Sequence, residues 1–229
     1  MAMNPIPSAG GTANTAFGSV QVHTRGELVP VTEVTLGASD TIYFEHHILL
    51  WMDPTVTISS KMLKGAARRM MAGLPVIVTE AHGPGRIAFS RDGPGQVIFR
   101  ELRAGQPLHV REHQFLFATS GVNYGYYRVK GVASIMFGHS GLWVDTFEGN
   151  GLLVLHGHGN IFERTLQAGE SVLVEPGGWL YRDASVQMSL ESLGLKTGLL
   201  AGATLYLNRF TGPGRLALQS MTLNHPTAE

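Results

Sequence analysis

Gly83-Pro84-Gly85-Arg86-Ile87-Ala88-Phe89, Gly149-Asn150-Gly151-Leu152-Leu153-Val154-Leu155 and Gly212-Pro213-Gly214-Arg215-Leu216-Ala217-Leu218 follow one plan, a glycine frame opening a short apolar run. Glycine permits the tight reversal, and the run after it has strand character. The frames recur every 63 to 66 residues, so internal repetition governs the fold.

A second marker repeats with the first. Leu102-Arg103-Ala104-Gly105 leads through Val110 and Glu112 to Phe115-Leu116-Phe117. Leu166-Gln167-Ala168-Gly169 leads through Val174 and Pro176 to Trp179-Leu180-Tyr181, 64 residues later. Leu36-Gly37-Ala38-Ser39 leads through Phe44 and His46 to Leu49-Leu50-Trp51, 66 residues earlier than the middle copy. Each copy reads as a turn of small residues, a strand and a large apolar triplet. Ala72-Gly73-Leu74-Pro75-Val76-Ile77-Val78 and Ala201-Gly202-Ala203-Thr204-Leu205-Tyr206-Leu207 correspond at an offset of 129.

The expected fold is therefore all-β: three tandem β-sandwich-like repeats, packed as one globular unit in a pseudo-threefold or stacked arrangement. The modules run over 17–88, 89–152 and 153–223, between a flexible leader at 1–16 and a tail at 224–229. Thr41 to Trp51 reads as one long strand, and Trp51, Phe117 and Tyr181 are expected in the packed core. The exception is 61–72, where apolar Met62, Leu63, Ala66, Ala67, Met70 and Met71 at three- and four-residue spacing predict a short helix or an extended loop.

Composition agrees with many short strands and tight turns: 29 Gly and 11 Pro in 229 residues, with 15% charged. The absence of cysteine excludes disulfides, thiolate metal sites and cysteine nucleophiles. Seventeen basic residues balance seventeen acidic ones, which argues against a global field for nucleic acid or anionic lipid. No apolar run is long enough for a membrane span, and residues 1–16 lack the basic and apolar regions of a secretory signal. A cytoplasmic protein is expected.

The run Leu199-Leu200-Ala201-Gly202-Ala203-Thr204-Leu205-Tyr206-Leu207-Asn208-Arg209-Phe210-Thr211-Gly212-Pro213-Gly214-Arg215-Leu216-Ala217-Leu218-Gln219-Ser220 resembles the closing signature of the altered-inheritance-of-mitochondria protein 24 family. The stretch from Gly73 through Gly83-Pro84-Gly85 resembles the family's first half, so the likeness covers roughly residues 17–223. It implies a fold like that of the tryptophan RNA-binding attenuation protein and a tendency to homo-oligomers, trimers among them. It implies little chemistry, since bacterial members have no assigned activity and eukaryotic relatives are tied to the organisation of the mitochondrial inner membrane. Where the family commonly carries Gly-Gly-Glu-Gly-Leu, this chain has Ala201-Gly202-Ala203-Thr204-Leu205, without the carboxylate.

The sharpest chemical candidate is His156-Gly157-His158, with Glu163 as a third ligand. His-x-His on a strand presents both imidazoles on one face, a geometry that suits a divalent metal. The stretch is similar to the first cupin motif, each spacing one residue short, but Pro176-Gly177-Gly178 is followed by no histidine as the second motif requires. The competing reading, preferred here, is a turn between repeats with exposed histidines and no metal. His46 and His47 are adjacent and face opposite ways on a strand, and His113 holds the repeat position of His47.

No nucleophile elbow or phosphate loop is present, and Glu45 and Glu175 at equivalent positions suit surface pairing more than acid–base catalysis. Lys61, Lys64, Arg68 and Arg69, interleaved with Met70 and Met71, are the candidates for binding a partner or a membrane surface. The competing and preferred reading packs the methionines on the sheet or a neighbouring subunit and leaves the charges solvated. Together these readings predict a non-catalytic structural or scaffolding protein without a cofactor. It would act through self-assembly, with a trimer favoured. A cupin-like metal enzyme and a peripheral binding module are the alternatives, and nucleic-acid binding is not expected.

Overall fold

The computed structural model describes residues 4–5, 13–63, 65–71, 76–129, 143–194 and 204–222. Two short strands, β1 (Asn4–Pro5) and β2 (Ala13–Phe17), precede β3 (Val20–Arg25). The stretch 13–16 was expected in a flexible leader. It is instead a strand paired in register with β3 across the turn at Gly18-Ser19.

Three sets of six strands follow. The first is β4 (Val31–Leu36), β5 (Thr41–Phe44), β6 (Leu49–Met52), β7 (Thr57–Met62), β8 (Ile77–His82) and β9 (Gly85–Ser90), with the helix α1 (Ala66–Met71) between β7 and β8. The second is β10 (Gly95–Leu102), β11 (Leu108–Arg111), β12 (Phe115–Thr119), β13 (Val122–Arg128), β14 (Trp143–Gly149) and β15 (Gly151–His158). The third is β16 (Ile161–Leu166), β17 (Ser171–Val174), β18 (Trp179–Asp183), β19 (Gln187–Gly194), β20 (Thr204–Thr211) and β21 (Gly214–Gln219).

The expected long strand from Thr41 to Trp51 is divided. A 3-10 turn at His46–Ile48 separates β5 from β6, and the two strands join different sheets. Likewise the helix is shorter than 61–72, because Lys61 and Met62 continue β7 along β8.

The sheets are shared between sets. One sheet runs β10-β15-β12-β5-β8-β7, so three strands of the second set are completed by three of the first. Another runs β16-β21-β18-β11-β14-β13, the same arrangement one set later, with β1 added at its edge. Two incomplete sheets remain at the ends, β2-β3-β4-β9-β6 and β17-β20-β19. Every pairing among them is antiparallel.

This sharing explains the burial pattern. In the β10–β7 sheet, Ile42, Phe44, Leu152 and Val154 face the core of the first sandwich, while Tyr43, Leu153 and Leu155 face that of the second. With both faces covered, all eight residues of β15 are buried and the usual alternation disappears. A third core around Trp179, Val186, Phe210 and Leu216 closes the other end.

Local contacts recur with the sets. A register shift occurs between Leu49 and Trp51, between Phe115 and Phe117, and between Trp179 and Tyr181. The bulge interrupts the alternation, so the last two residues of the triplet enter one core, Leu116 with Phe117 and Leu180 with Tyr181, while Phe115 and Trp179 enter another. The backbone N–H of Arg86, Leu152 and Arg215 donates to Asp53 Oδ2, Thr119 Oγ1 and Asp183 Oδ2 at 3.0, 3.0 and 2.9 Å. Gly85 and Gly214 adopt φ of 142° and 137°, where a Cβ would also meet Val56 or Val186 at 2.8 Å. That requirement fixes the last glycine of both Gly-Pro-Gly frames.

Candidate interaction surface

The segment from Lys61 divides by facing direction. Lys61 Nζ lies 3.0 Å from Glu80 Oε1 and 5.1 Å from the centre of the Tyr43 ring, so its charge is balanced on the sheet. Leu63 is buried, and its N–H donates to Val76 O. In α1, Arg69 is 1% exposed. Its guanidinium lies 4.7 and 4.6 Å from the ring centres of Tyr124 and Tyr126, and Nη2 donates to Tyr124 O at 3.2 Å. Arg69 was expected to be solvated or to bind a partner; it is an internal cation that ties α1 to β13. Its surroundings are dry enough that burial pushes the Asp145 carboxyl well above its ordinary range, and Asp145 Oδ1 accepts a hydrogen bond from Tyr124 Oη at 2.9 Å.

The methionines do the reverse. Met62, Met70 and Met71 are 72, 72 and 82% exposed, so the preferred expectation that they pack on the sheet does not hold within the chain. With Arg69 turned inward, the outward side of α1 presents thioethers, which adapt readily to an irregular partner. Lys64 and the side chain of Arg68 lie outside the described residues.

His156 and His158 share one face of β15, with ring centres 5.0 Å apart. They are not on an exposed turn, as the preferred reading supposed. β15 is the interior strand between β10 and β12, and both side chains are buried. Gly95 lies opposite His158, and a Cβ on it would meet His156 Cε1 at 2.7 Å, so that glycine makes room for the imidazole. Burial holds the His156 pKa down at about 3, with His158 and Arg91 adding to the effect. Glu163 is occupied elsewhere: it accepts hydrogen bonds from Arg100 and Tyr181, and Arg100 also stacks on the Tyr181 ring at 4.6 Å. Among the described residues no three histidine or carboxylate side chains converge as a metal-ligand set.

A cleft of about 160 Å³ joins residues that the sequence kept apart, namely His47, His113 and His158 with Ser90, Arg91 and Asp92. Arg91 Nη2 donates to Phe115 O at 2.6 Å and lies 3.4 Å from Glu45 Oε2, so its charge is matched inside the protein. His113 is the one described non-glycine residue with positive φ, at 65°. The equivalence of His47 and His113 by repeat position was the one signal in the sequence for this grouping. Arg91 gave none, since no arginine follows the corresponding strands β15 and β21.

The exposed strand β6 was also missed. Leu50, Trp51 and Met52 are all exposed, against the expectation that Trp51 joins Phe117 and Tyr181 in the core. Phe117 packs into the first sandwich and Tyr181 into the second, in each case the core formed by the preceding set. Among the described residues β6 pairs with β9 alone, and no such core lies beyond it for Trp51 to enter. The Arg86 guanidinium lies over its ring, 5.6 Å from the centre.

A model of the family described as mitochondrial biogenesis AIM24 matches residues 22–221. An uncharacterised protein of Streptococcus pyogenes serotype M6 is 26% identical over 213 residues, covering 87% of this chain and 84% of its own length. The X-ray crystal structure of another Streptococcus pyogenes protein is similar at a TM-score of 0.66 and 21% identity, over 92% of this chain and 94% of that one. At that identity the likeness is one of fold.

Proposed function

This chain belongs to the AIM24 family, and from that premise we propose that it is a non-catalytic structural or scaffolding protein acting through self-assembly, a trimer favoured, and through protein partners. The observation that carries this reading is the placement of apolar surface. The exposed large side chains concentrate on the first set, on β6, β7 and α1. Patches of that kind mark association surfaces. The candidate chemical groups are meanwhile tied into internal contacts: Glu163 to Arg100 and Tyr181, Arg69 to two tyrosines, and Arg91 to Glu45. A cytoplasmic location and the lack of a bound cofactor belong to the same proposal.

Light scattering coupled to size-exclusion chromatography at micromolar concentration tests it. A stable oligomer is expected, and a monomer under those conditions overturns the reading. Elemental analysis of untagged protein purified without chelator tests the competing enzyme. About one metal per chain, lost on changing His156 and His158 to alanine, would replace the scaffold by a metal-dependent activity.

The exposure of Met62, Met70 and Met71 favours one second reading, a peripheral binding segment at 61–71. Changing these three methionines to serine would then abolish binding to anionic vesicles while leaving the oligomer intact. Vesicle binding that is absent in the wild type removes this reading.

A further inference from the structure

The two incomplete sheets at the ends of the chain are the two halves of the sheet that the chain builds twice internally. In each internal sheet, the first, sixth and third strands of one set are joined to the second, fifth and fourth of the set before it. The junction is β12 on β5 in one sheet and β18 on β11 in the other. The end sheets supply what remains: β4-β9-β6 from the first set, ending on β6, and β17-β20-β19 from the last, ending on β17. Among the described residues β6 pairs only with β9, and β17 only with β20.

We propose that β17 of one copy of this chain pairs antiparallel with β6 of a second copy, completing a third shared sheet across a head-to-tail interface. This rests on the self-assembly reading and names its contact. The internal junctions set the register. Phe44 lies opposite Phe117, and Val110 lies opposite Tyr181, which is the same pair one repeat later. One further repeat places Val174 opposite Trp51 of the second copy and Leu173 opposite Met52.

The side chains fit that register. Tyr43 and His109 are the counterparts of Leu173, and Ala118 and Arg182 those of Met52. Tyr43, Ala118 and Arg182 are at most 5% exposed and His109 is half-buried, whereas Leu173 and Met52 are 36 and 39% exposed. Apolar residues thus stand exposed on the copy of each strand that lacks its second neighbour. An unpaired edge with such residues is a template for another strand. The two edges differ, so the contact is heterologous, and closed assemblies built on it are rings.

Charge placed at either edge tests the contact. Met52→Lys and Leu173→Lys change exposed residues, and circular dichroism should match the wild type. Each variant alone is expected to be monomeric at micromolar concentration. Mixed in equal amounts they should form a one-to-one dimer and nothing larger, since each retains one good edge. An oligomer that survives both substitutions overturns this contact but leaves self-assembly standing. A wild-type monomer overturns both. If only Met52→Lys dissociates the oligomer, the interface is symmetric and the head-to-tail arrangement is wrong.

A cross-link gives an independent readout. The chain has no cysteine, so Met52→Cys with Leu173→Cys places the protein's one pair of thiols. Directly opposed residues of antiparallel strands lie within disulfide reach. Oxidation should give chain-to-chain links on a non-reducing gel. A link confined within one chain would mean that the ends close on themselves, which rejects the proposal.

Discussion

Phe117 and Trp51 hold the same position in two copies of one strand, and they differ because of what lies in front of them. Phe117 in β12 is fully buried, stacked 5.2 Å from Phe89, in a core that the preceding set supplies. Trp51 in β6 is 37% exposed, because among the described residues no second strand pairs with β6 to cover it. A repeat therefore specifies a surface that is core or interface according to its place in the array. In such a chain the end copies carry information that the middle copy cannot.

Deletion of each side chain gives the largest effect that tests this difference. Phe117→Ala should cost about 3–5 kcal/mol of unfolding free energy, the usual penalty for emptying an aromatic core position. Trp51→Ala, measured in the monomeric Leu173→Lys background, should cost less than about 1 kcal/mol. Urea unfolding measures both. Equal losses would show that Trp51 is held by the chain itself and would break the comparison.

The segment 61–71 contains the same opposition within a few residues. Arg69→Leu removes a cation lying between two tyrosine rings and should cost about 2–4 kcal/mol. Met71→Ser, two residues on, should stay within about 0.5 kcal/mol. If Arg69→Leu proves as silent as Met71→Ser, the internal role of that arginine is wrong.

The periodicity of the strands was legible because turn glycines and apolar triplets are demanded by local geometry. Gly85 and Gly214 sit at φ values that other residues rarely adopt, and each triplet sits on a bulge. What the sequence did not disclose was which set completes which sheet. That choice is long-range, and it decides the fate of Trp51, of His156 and of β15 as a whole. The His-x-His pattern was visible, but its burial follows from β15 having a neighbour on each side and a core on each face. Arg69 was misread for a related reason. Its interleaving with methionines resembles an amphipathic surface, and only the approach of Tyr124 and Tyr126 from another set turns the guanidinium inward.

Acid should separate the buried strand from the exposed ones. The folded-state pKa of His156, about 3, lies below its ordinary value of 6.5, because burial disfavours the charged ring. The unfolded chain takes up this proton first as pH falls. The stabilising contribution of the neutral form is therefore complete above pH 6.5 and is lost as pH drops toward 3. Between pH 6.5 and 5 the wild type should lose on the order of 2 kcal/mol relative to His156→Leu. Taking the difference between variants cancels the opposite trend from groups held above their ordinary range, such as Asp145 and Glu112. Parallel stability curves for the two proteins would place His156 in water.

The smallest expected effect tests the ends most finely. Asp53 with Arg86 and Asp183 with Arg215 make the same backbone and side-chain hydrogen bonds, the first pair in the incomplete sheet and the second in a completed one. Leu108 stands opposite Asp183, whereas Asp53 has no neighbour across the open edge among the described residues. In dilute protein, Asp183→Asn should cost at most about 1 kcal/mol, and Asp53→Asn should leave the urea midpoint unchanged. If β17 of a second copy covers that edge, raising the protein concentration should make Asp53→Asn behave like Asp183→Asn. An Asp53→Asn midpoint that follows the wild type at every concentration would mean that no strand arrives there.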